Sequence, residues 1–198
     1  MTGGGSGMAA PAGLDGWMRH ARRVPSPNCD QRPGGTAIDL LVIHCIALPP
    51  RHYGGDAIER LFCNRLDPSE HPDFASLAGL RVSAHFVVHR DGALTQFVSC
   101  DDRAWHAGVS AFEGRSRCND FSIGIELEGS DDAPFEAEQY DTLIALGSDL
   151  LLRYPLRAIV GHGDIAPGRK IDPGTGFDWR RLKNGLALPA TAFPFQSF

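Results

Sequence analysis

The pattern of hydrophobic and polar positions predicts several strands of one sheet. Residues 38–46 form a nearly continuous apolar run rich in β-branched side chains, which is typical of a strand buried on both faces. Two further apolar runs, at residues 84–89 and 93–98, are separated by a turn that contains Asp91 and Gly92. Because Asp-Gly between two such runs is a strong hairpin signal, these runs predict an antiparallel pair.

Residues 121–127 alternate between apolar side chains and small or charged ones. Successive side chains of a strand point to opposite faces, so this alternation predicts a strand with one apolar face. Glu126 falls on the other face, together with Ser122 and Gly124. Glu128 falls on the same face as Glu126, and alternation alone does not choose between these two carboxylates.

The apolar positions of the second half of the chain predict helices. Seven residues recur at intervals of three and four, which is the stripe of an amphipathic helix that ends before Pro155: Tyr140, Leu143, Ile144, Gly147, Leu150, Leu151 and Tyr154. Shorter helices are expected at residues 56–64 and at 178–186, the latter capped by Asp178. A short apolar run at 157–160 predicts a further strand.

These elements predict an α/β fold with a mixed central sheet flanked by helices. A chain of 198 residues with 42% hydrophobic content can bury one good core, and its length favours a single domain. We expect that domain to span residues 17–187. Residues 1–16 are expected to form a flexible leader, and residues 188–198 a loose C-terminal tail.

Charge and composition narrow the range of partners. The formal net charge of −5 gives no reason to expect nucleic acid or an anionic membrane, because both select for basic surfaces. The longest apolar run is far shorter than the roughly 18 to 20 residues of a membrane span. The leader lacks the apolar segment of a secretory signal. Five scattered cysteines without a Cys-x-x-Cys pair fit reduced thiols, so we expect a cytoplasmic protein.

The polar loop at residues 161–174, GHGDIAPGRKIDPG, carries the clearest chemistry. It follows a predicted strand, and histidine with aspartate supplies ligands of the type that zinc prefers. A catalytic zinc takes three protein ligands and keeps one position open. His44, His162 and Asp172 are the predicted set, because each histidine lies at the C-terminal end of an apolar strand and the loop can fold back over one strand end.

Other side chains remain possible ligands at this level: His52, His71, His85, His89, His106 and Asp164. His85 and His89 share a strand face but lie about 13 Å apart along it at 3.3 Å per residue, too far to share one ion. The others are individually plausible.

Five segments in order resemble a known family. They are LVIH (41–44), LRVSAH (80–85), RAWHAG (103–108), CNDFSIGIELEG (118–129) and the loop at 161–174. Together they resemble the AmpD-type N-acetylmuramyl-L-alanine amidases, zinc enzymes whose fold is shared by peptidoglycan-recognition proteins. The resemblance runs from about residue 17 to 186, and the ordered string is specific although no single segment is.

The resemblance implies roles for individual residues. It makes His44, His162 and Asp172 the zinc ligands, in agreement with the reading of the residues, and it implies that His85 is not a ligand. It also implies that Glu126, rather than Glu128, is the catalytic carboxylate.

The same resemblance implies that Lys170 assists the transition state. One departure concerns Cys45, which follows the first ligand where members of the family carry Asn. A polar contact from position 45 to the substrate is therefore not expected.

The implied substrate is a muropeptide, cut at the amide between (anhydro-)N-acetylmuramic acid and L-alanine during cytosolic peptidoglycan recycling. Arg81 and Arg117 are candidates for binding carboxylates of the peptide stem by paired hydrogen bonds, and Trp105 is a candidate for contacting the sugar. We expect a monomer. The alternatives are a non-catalytic peptidoglycan-recognition module and an exported or phage-type amidase that acts on intact cell wall.

Overall fold

The structure is a computed structural model that describes residues 15–198, and a mixed β-sheet forms its centre. Ten strands follow one another along the chain: β1 (Arg22–Arg23), β2 (Cys29–Gln31), β3 (Leu40–Ile46), β4 (Phe86–Val88), β5 (Leu94–Gln96), β6 (Asp102–Ala104), β7 (Ala111–Phe112), β8 (Arg115–Ser116), β9 (Ser122–Glu128) and β10 (Ala158–Gly161). Six of them form the central sheet in the order β1-β5-β4-β9-β3-β10. The pairs β2-β6 and β7-β8 form two small ribbons.

The directions of the strands confirm the predicted mixed sheet. Strands β4, β9, β3 and β10 run parallel, while β5 pairs antiparallel with β4. The predicted hairpin is therefore present, and the left-handed backbone of Gly92 (φ 80°) closes its turn. The backbone pairing covers three residues in each hairpin strand, so both strands are shorter than the sequence predicts.

Four α-helices surround the sheet: α1 (Ala57–Phe62), α2 (Ala137–Arg153), α3 (His162–Ile165) and α4 (Trp179–Gly185). Helices α1, α2 and α4 lie where the sequence predicts them. Asp178 caps α4 by accepting a hydrogen bond from the Arg181 amide at 2.8 Å. The segment between α1 and β4 contains a 3₁₀ helix at Pro72–Leu77. Proline at its first position and the His71 side chain, which accepts from the Asp73 amide, stabilise this turn.

One face of the sheet carries the main core. Ile43 and Ile125 are fully buried there against Leu143 and Leu150 of α2. Burial of each such side chain contributes about 1.5–3 kcal/mol, so this face fixes the positions of β3 and β9. Gln139 of α2 adds hydrogen bonds to the Val88 and Glu128 carbonyls, which tie the helix to the ends of β4 and β9.

The opposite face of the sheet is covered by α1 and by the loops that precede β9. Val42 and Val160 pack there against Phe112 and Phe121. His44 and Glu126 leave the sheet on this same face, because alternation along β3 and β9 places them with Val42 and Gly124. The prediction that Glu126 points away from the apolar face of its strand is confirmed.

The two ends of the chain differ from expectation where they are described. Residues 1–14 of the predicted leader lie outside the described residues, whereas the buried Gly16 is held by the Cys100 amide, which donates to its carbonyl. The prediction of a loose tail is wrong at Phe193, which is 1% exposed and packs against Trp179 of α4. The tail lacks a periodic apolar stripe, so its sequence does not reveal this packing.

No helix within residues 15–198 has both the length and the apolar character that crossing a membrane requires.

Candidate metal centre and active site

A cavity of about 690 Å³ opens at the sheet edge where β3, β9 and β10 end. Its walls come from the loop after β3, from α1 and the segment before β4, from the segment before β7, from the loop after β9 and from the loop at residues 161–174. His44, Glu126, His162 and Asp172 line it. Side chains at the carboxyl ends of parallel strands meet at one edge, which is the usual position of ligand sites in α/β sheets.

Two histidines and one aspartate converge at the base of this cavity. His44 Nδ1 lies 3.0 Å from His162 Nδ1, and Asp172 Oδ2 lies 3.1 Å from each of these nitrogens. Among the described residues they are the one group of three that could hold a metal ion. The other candidates from the sequence, including His85, His106 and Asp164, do not join it.

The three atoms fit a zinc ion by type and spacing. Zinc prefers imidazole nitrogen and carboxylate oxygen at about 2.0–2.2 Å, so tetrahedral ligand atoms stand roughly 3.3 Å apart. The observed separations of 3.0–3.1 Å are close to this value. Two neutral histidines and one carboxylate would leave a net formal charge of about +1 with a divalent cation.

The protonation states of the triangle also suit a cation. Burial lowers the pKa of His44 to about 4, which keeps its imidazole neutral and its lone pair free. Burial alone would raise the pKa of Asp172, but hydrogen bonds with His162 and His44 outweigh that effect and hold its pKa below the usual range. Metal ligands must be deprotonated, and both groups meet this condition at neutral pH.

Glycines bring Asp172 back to the strand end that carries His162. The Gly163 amide donates to the Asp172 carbonyl at 2.8 Å. A Cβ at Gly161 would lie 2.8 Å from Pro173 Cδ, and one at Gly163 would lie 3.2 Å from the Lys170 carbonyl oxygen. The loop can lie this close to the strand because neither position carries a side chain.

Asp164, the nearest rival ligand in this loop, has a structural function. Its Oδ2 accepts from the Gly161 amide at 2.7 Å and from Gln196 Nε2 at 3.2 Å. These contacts join the start of α3 to the C-terminal segment.

Glu126 lies beside the triangle and has an unsatisfied oxygen. The residue is 9% exposed, and its Oε2 is buried without a hydrogen-bond partner among the described residues. Burial, and then the charge of Asp172, raises the pKa of this carboxyl well above its ordinary value, while Lys170 opposes the change. A buried carboxylate oxygen that has no hydrogen-bond partner and faces a polar cavity is suited to bind and transfer a proton.

Glu128 differs although it lies two residues along the same face of β9. Its Oε1 accepts from the Gly54 amide at 2.5 Å, and its Oε2 accepts from the Arg90 amide at 3.1 Å. Glu128 therefore joins two loops, and both of its oxygens are occupied.

Lys170 is exposed on the cavity wall. Within residues 15–198 its ammonium forms no hydrogen bond or ion pair, and its charge acts on both His44 and Glu126. Cys45 packs against the core on the other face of β3 from His44, as alternation predicts.

The three predicted substrate-binding residues occupy different places. Trp105 lines the cavity, and its Nε1 donates to Asp30 Oδ1 at 3.2 Å. Arg81 is exposed and stands between two cavity-lining residues, Leu80 and Val82, without lining the cavity itself. Arg117 is exposed outside the cavity wall, and its Nε lies 3.3 Å from Asp120 Oδ2.

Residues outside the predicted set also shape the cavity. Arg51 and Asp132 form an ion pair between the loop after β3 and the loop after β9, and both line the cavity. Arg169 Nη2 donates to the carbonyls of Ala107 and Val109 at 2.7 Å. The sequence offered no signal for these contacts, since each joins loops distant along the chain.

A mixed sheet with a His-His-Asp cluster and a buried glutamate at one strand edge is typical of metal-dependent hydrolases. Residues 34–175 match the family described as N-acetylmuramoyl-L-alanine amidase. Because this match covers most of the chain, the protein belongs to that family, and the resemblance seen in the sequence is confirmed.

Three relatives define the similarity. The 1,6-anhydro-N-acetylmuramyl-L-alanine amidase AmpD of Citrobacter freundii is 53% identical over 179 residues, which are 89% of this chain and 95% of that protein. The crystal structure of a selenomethionine AmpD derivative is 52% identical, with a TM-score of 0.85 over 87% of this chain and 97% of that one. The amidase AmiD of E. coli, solved with the substrate anhydro-N-acetylmuramic acid-L-Ala-D-γ-Glu-L-Lys, is 32% identical, with a TM-score of 0.56 over 78% and 60% of the two chains.

Proposed function

We propose that this protein is a zinc-dependent amidase that hydrolyses the amide between anhydro-N-acetylmuramic acid and L-alanine in muropeptides. The observation that carries this proposal is the His44-His162-Asp172 triangle with the unpaired oxygen of Glu126 beside it. The amidase activity named for the relatives at about half identity supports the choice of bond. The substrate in the AmiD structure supports the muropeptide class.

His44, His162 and Asp172 would hold the zinc ion. When bound, the ion supplies a Lewis acid that polarises the amide carbonyl and lowers the pKa of water to about 7. The protein's part is to keep the His44 imidazole neutral and Asp172 ionised, for which the burial of His44 and the hydrogen bonds of Asp172 are suited.

Glu126 is the proposed proton carrier. Its Oε2 would accept a proton from the attacking water as the new carbon–oxygen bond forms, and would give that proton to the L-alanine nitrogen as the carbon–nitrogen bond breaks. The water thus supplies the hydroxyl of the new acid and one proton of the new amine. Burial, which raises the pKa of Glu126, makes the carboxylate a stronger base than an exposed glutamate.

Lys170 is proposed to stabilise the negative charge that develops on the carbonyl oxygen. Its ammonium has no partner among the described residues, and its charge already acts on Glu126 and His44. A preorganised positive group near the developing charge lowers the barrier because it is worth more in the transition state than in the ground state.

Trp105, Arg81 and Arg117 are the proposed substrate contacts. Trp105 lines the cavity and offers an apolar ring for the sugar. Arg81 and Arg117 are exposed on loops outside the cavity wall, where their guanidinium groups would bind carboxylates of the peptide stem. Replacement of either arginine by alanine should raise KM for a substrate with a long acidic stem more than for one that ends at L-alanine.

We further propose that the enzyme acts as a monomer in the cytoplasm, on muropeptides returned during peptidoglycan recycling. Free thiols fit a reducing compartment, and all five cysteines, which lie within residues 15–198, are free. The negative net charge fits a small soluble substrate better than a nucleic acid.

The experiment that tests the function measures three properties of the zinc-loaded protein: release of L-alanine peptides from anhydro-muropeptide, their release from purified cell wall, and binding of muropeptide. Release of L-alanine peptides from anhydro-muropeptide, with little release from purified cell wall, is the expected result. Preferred release from cell wall would favour an exported or phage-type role. Binding of muropeptide without release would favour a non-catalytic recognition module, against which the complete set of three possible ligands counts.

A further inference from the structure

The outer nitrogens of both proposed ligand histidines meet one short segment. His44 Nε2 lies 2.9 Å from His106 Nδ1, and His162 Nε2 lies 3.0 Å from the carbonyl oxygen of Ala107. His106 and Ala107 are consecutive residues of the segment before β7. The segment therefore contacts two proposed ligands that come from different elements, His44 from β3 and His162 from α3.

The distances assign a consistent set of tautomers. Metal binding through Nδ1 requires the lone pair there, so the proton of each neutral ligand histidine must sit on Nε2. His44 Nε2–H then donates to His106 Nδ1, and His106 Nε2–H donates onward to Ser122 Oγ at 3.1 Å. His162 Nε2–H donates to the Ala107 carbonyl, which also accepts from Arg169.

The segment itself is held in place at its backbone. The amides of His106 and Ala107 both donate to Asn119 Oδ1, at 3.2 and 2.8 Å. The side chain of His106 lies over Gly124 of β9, where an added Cβ would stand 2.5 Å from the imidazole Cγ. The Asn119 carboxamide thus fixes the backbone of the segment, and the absence of a side chain at Gly124 leaves room for the His106 ring.

We propose that His106 and Asn119 are positioning residues for the metal centre. His106 holds the ring of His44 in the orientation and tautomer that direct Nδ1 at the metal, and Asn119 fixes the segment that contacts both ligand histidines. This inference rests on the proposed zinc ligands. Outer partners of metal-bound histidines raise ligand basicity and fix ring orientation, and their loss typically costs 10–100-fold in metal affinity.

The test measures zinc affinity of the purified protein by competition with a chelating dye. His106→Phe keeps a planar aromatic ring, although a larger one, but removes both nitrogens, and a roughly 10–100-fold loss of affinity is expected. His106→Asn places an acceptor oxygen near the position of Nδ1, and it should recover most of the loss. Ser122→Ala removes only the hydroxyl that accepts from His106 Nε2, so it should lower the zinc affinity less than His106→Phe does.

Asn119 is tested by a second pair of variants. Asn119→Leu removes the acceptor and should weaken zinc binding, whereas Asn119→Asp keeps the oxygen at the same position and should restore it. The visible spectrum of the Co²⁺-loaded protein gives a further readout, since a changed ligand orientation shifts the absorption bands even where the metal stays bound.

The matched control is His85→Phe. His85 is a fully buried histidine whose Nδ1 accepts from the Gly124 amide and which touches no proposed ligand through a hydrogen bond. This variant should lose stability while its folded form keeps the zinc affinity of the wild type. Equal zinc affinity and an unchanged cobalt spectrum in folded His106→Phe and Asn119→Leu would overturn the inference. Failure of the wild type itself to bind zinc would instead overturn the proposed function.

Discussion

His44 and Glu126 stand directly opposite each other in the neighbouring parallel strands β3 and β9. Paired residues of parallel strands point to the same face, so this register delivers a proposed metal ligand and a proposed proton carrier to one cavity wall. The two residues lie far apart in the sequence. The sheet, rather than any local motif, brings them together, while the loop after β10 supplies His162, Lys170 and Asp172.

Removal of zinc should abolish hydrolysis of anhydro-muropeptide, and zinc added back should restore it. The zinc contents of the His162→Ala and Asp172→Ala variants should each be less than one ion per chain, because each variant lacks one of three ligands. Metal content by mass spectrometry of the dialysed protein checks this prediction. Asp164→Asn is the control in the same loop and should keep its zinc. Full zinc content in His162→Ala would show that the ligand set is wrong.

Glu126→Gln should keep zinc and lose turnover by about 10²–10⁴-fold, the range for removal of a general acid or base. The stability of this variant should be unchanged or higher, since Oε2 is buried without a partner among the described residues. Steady-state rates, zinc content and urea unfolding measure the three effects.

Glu128→Gln is the matched control for Glu126→Gln, two residues along the same strand face. Its carboxylate accepts two backbone amides, so the variant should lower the free energy of unfolding by about 1–3 kcal/mol and leave kcat nearly unchanged. Zinc loss in Glu126→Gln, or an equal fall in kcat for both variants, would mean that Glu126 is structural.

Lys170→Met should lower kcat by roughly 10²-fold with little change in KM, because the lost stabilisation belongs to the transition state. Lys170→Arg keeps the positive charge and should recover part of the rate. The control is Lys183→Met in α4, which lies away from the cavity wall. A rise in KM without a fall in kcat would reassign Lys170 to ground-state binding.

The metal-free protein should lose stability as the pH falls below about 6.5. Burial lowers the pKa of His44 to about 4 and lowers the pKa values of His85 and His106 well below the ordinary value. Below about pH 6.5 the unfolded chain therefore binds protons that the folded chain does not bind. The free energy of unfolding consequently falls as the pH falls. Each such histidine contributes up to about 1.4 kcal/mol per pH unit.

Urea unfolding between pH 5 and 8 measures this dependence. His85→Asn should reduce the slope by about one proton. Equal slopes for the wild type and His85→Asn would contradict the assignment of a buried neutral His85.

The sequence predicted the existence and the approximate positions of the elements with strong periodicity. The apolar run of β3, the Asp-Gly hairpin and the stripe of α2 each depend on local patterns, so their positions were predictable. The His44-His162-Asp172 cluster followed from strand ends and a glycine-rich loop. The choice of Glu126 over Glu128 came from the family resemblance. In the structure, the two carboxylates differ because the Gly54 and Arg90 amides donate hydrogen bonds to Glu128 and not to Glu126.

Other features depend on contacts between distant segments and left no local pattern. An imidazole can be a ligand or the partner of a ligand, so the sequence kept His106 among the possible ligands. Only its 2.9 Å contact with His44 Nε2 distinguishes these roles. Phe193 is likewise buried, and its ring contacts Trp179 of α4, a contact that no pattern in its own segment predicts. Arg81 and Arg117 stay predictions, because their exposed side chains contact no element of the cavity wall that fixes them.

Hydrolysis of a defined anhydro-muropeptide in ¹⁸O-water identifies both the bond that is cut and the product that receives the oxygen of water. The zinc-loaded protein should release a peptide with a free L-alanine amine and an anhydro-sugar with one ¹⁸O atom in its new carboxylate, as read by mass spectrometry. The metal-free protein should give neither product. A label found in a peptide carboxylate, or an uncleaved substrate in the presence of zinc, would show that this protein does not hydrolyse the bond between the sugar and L-alanine.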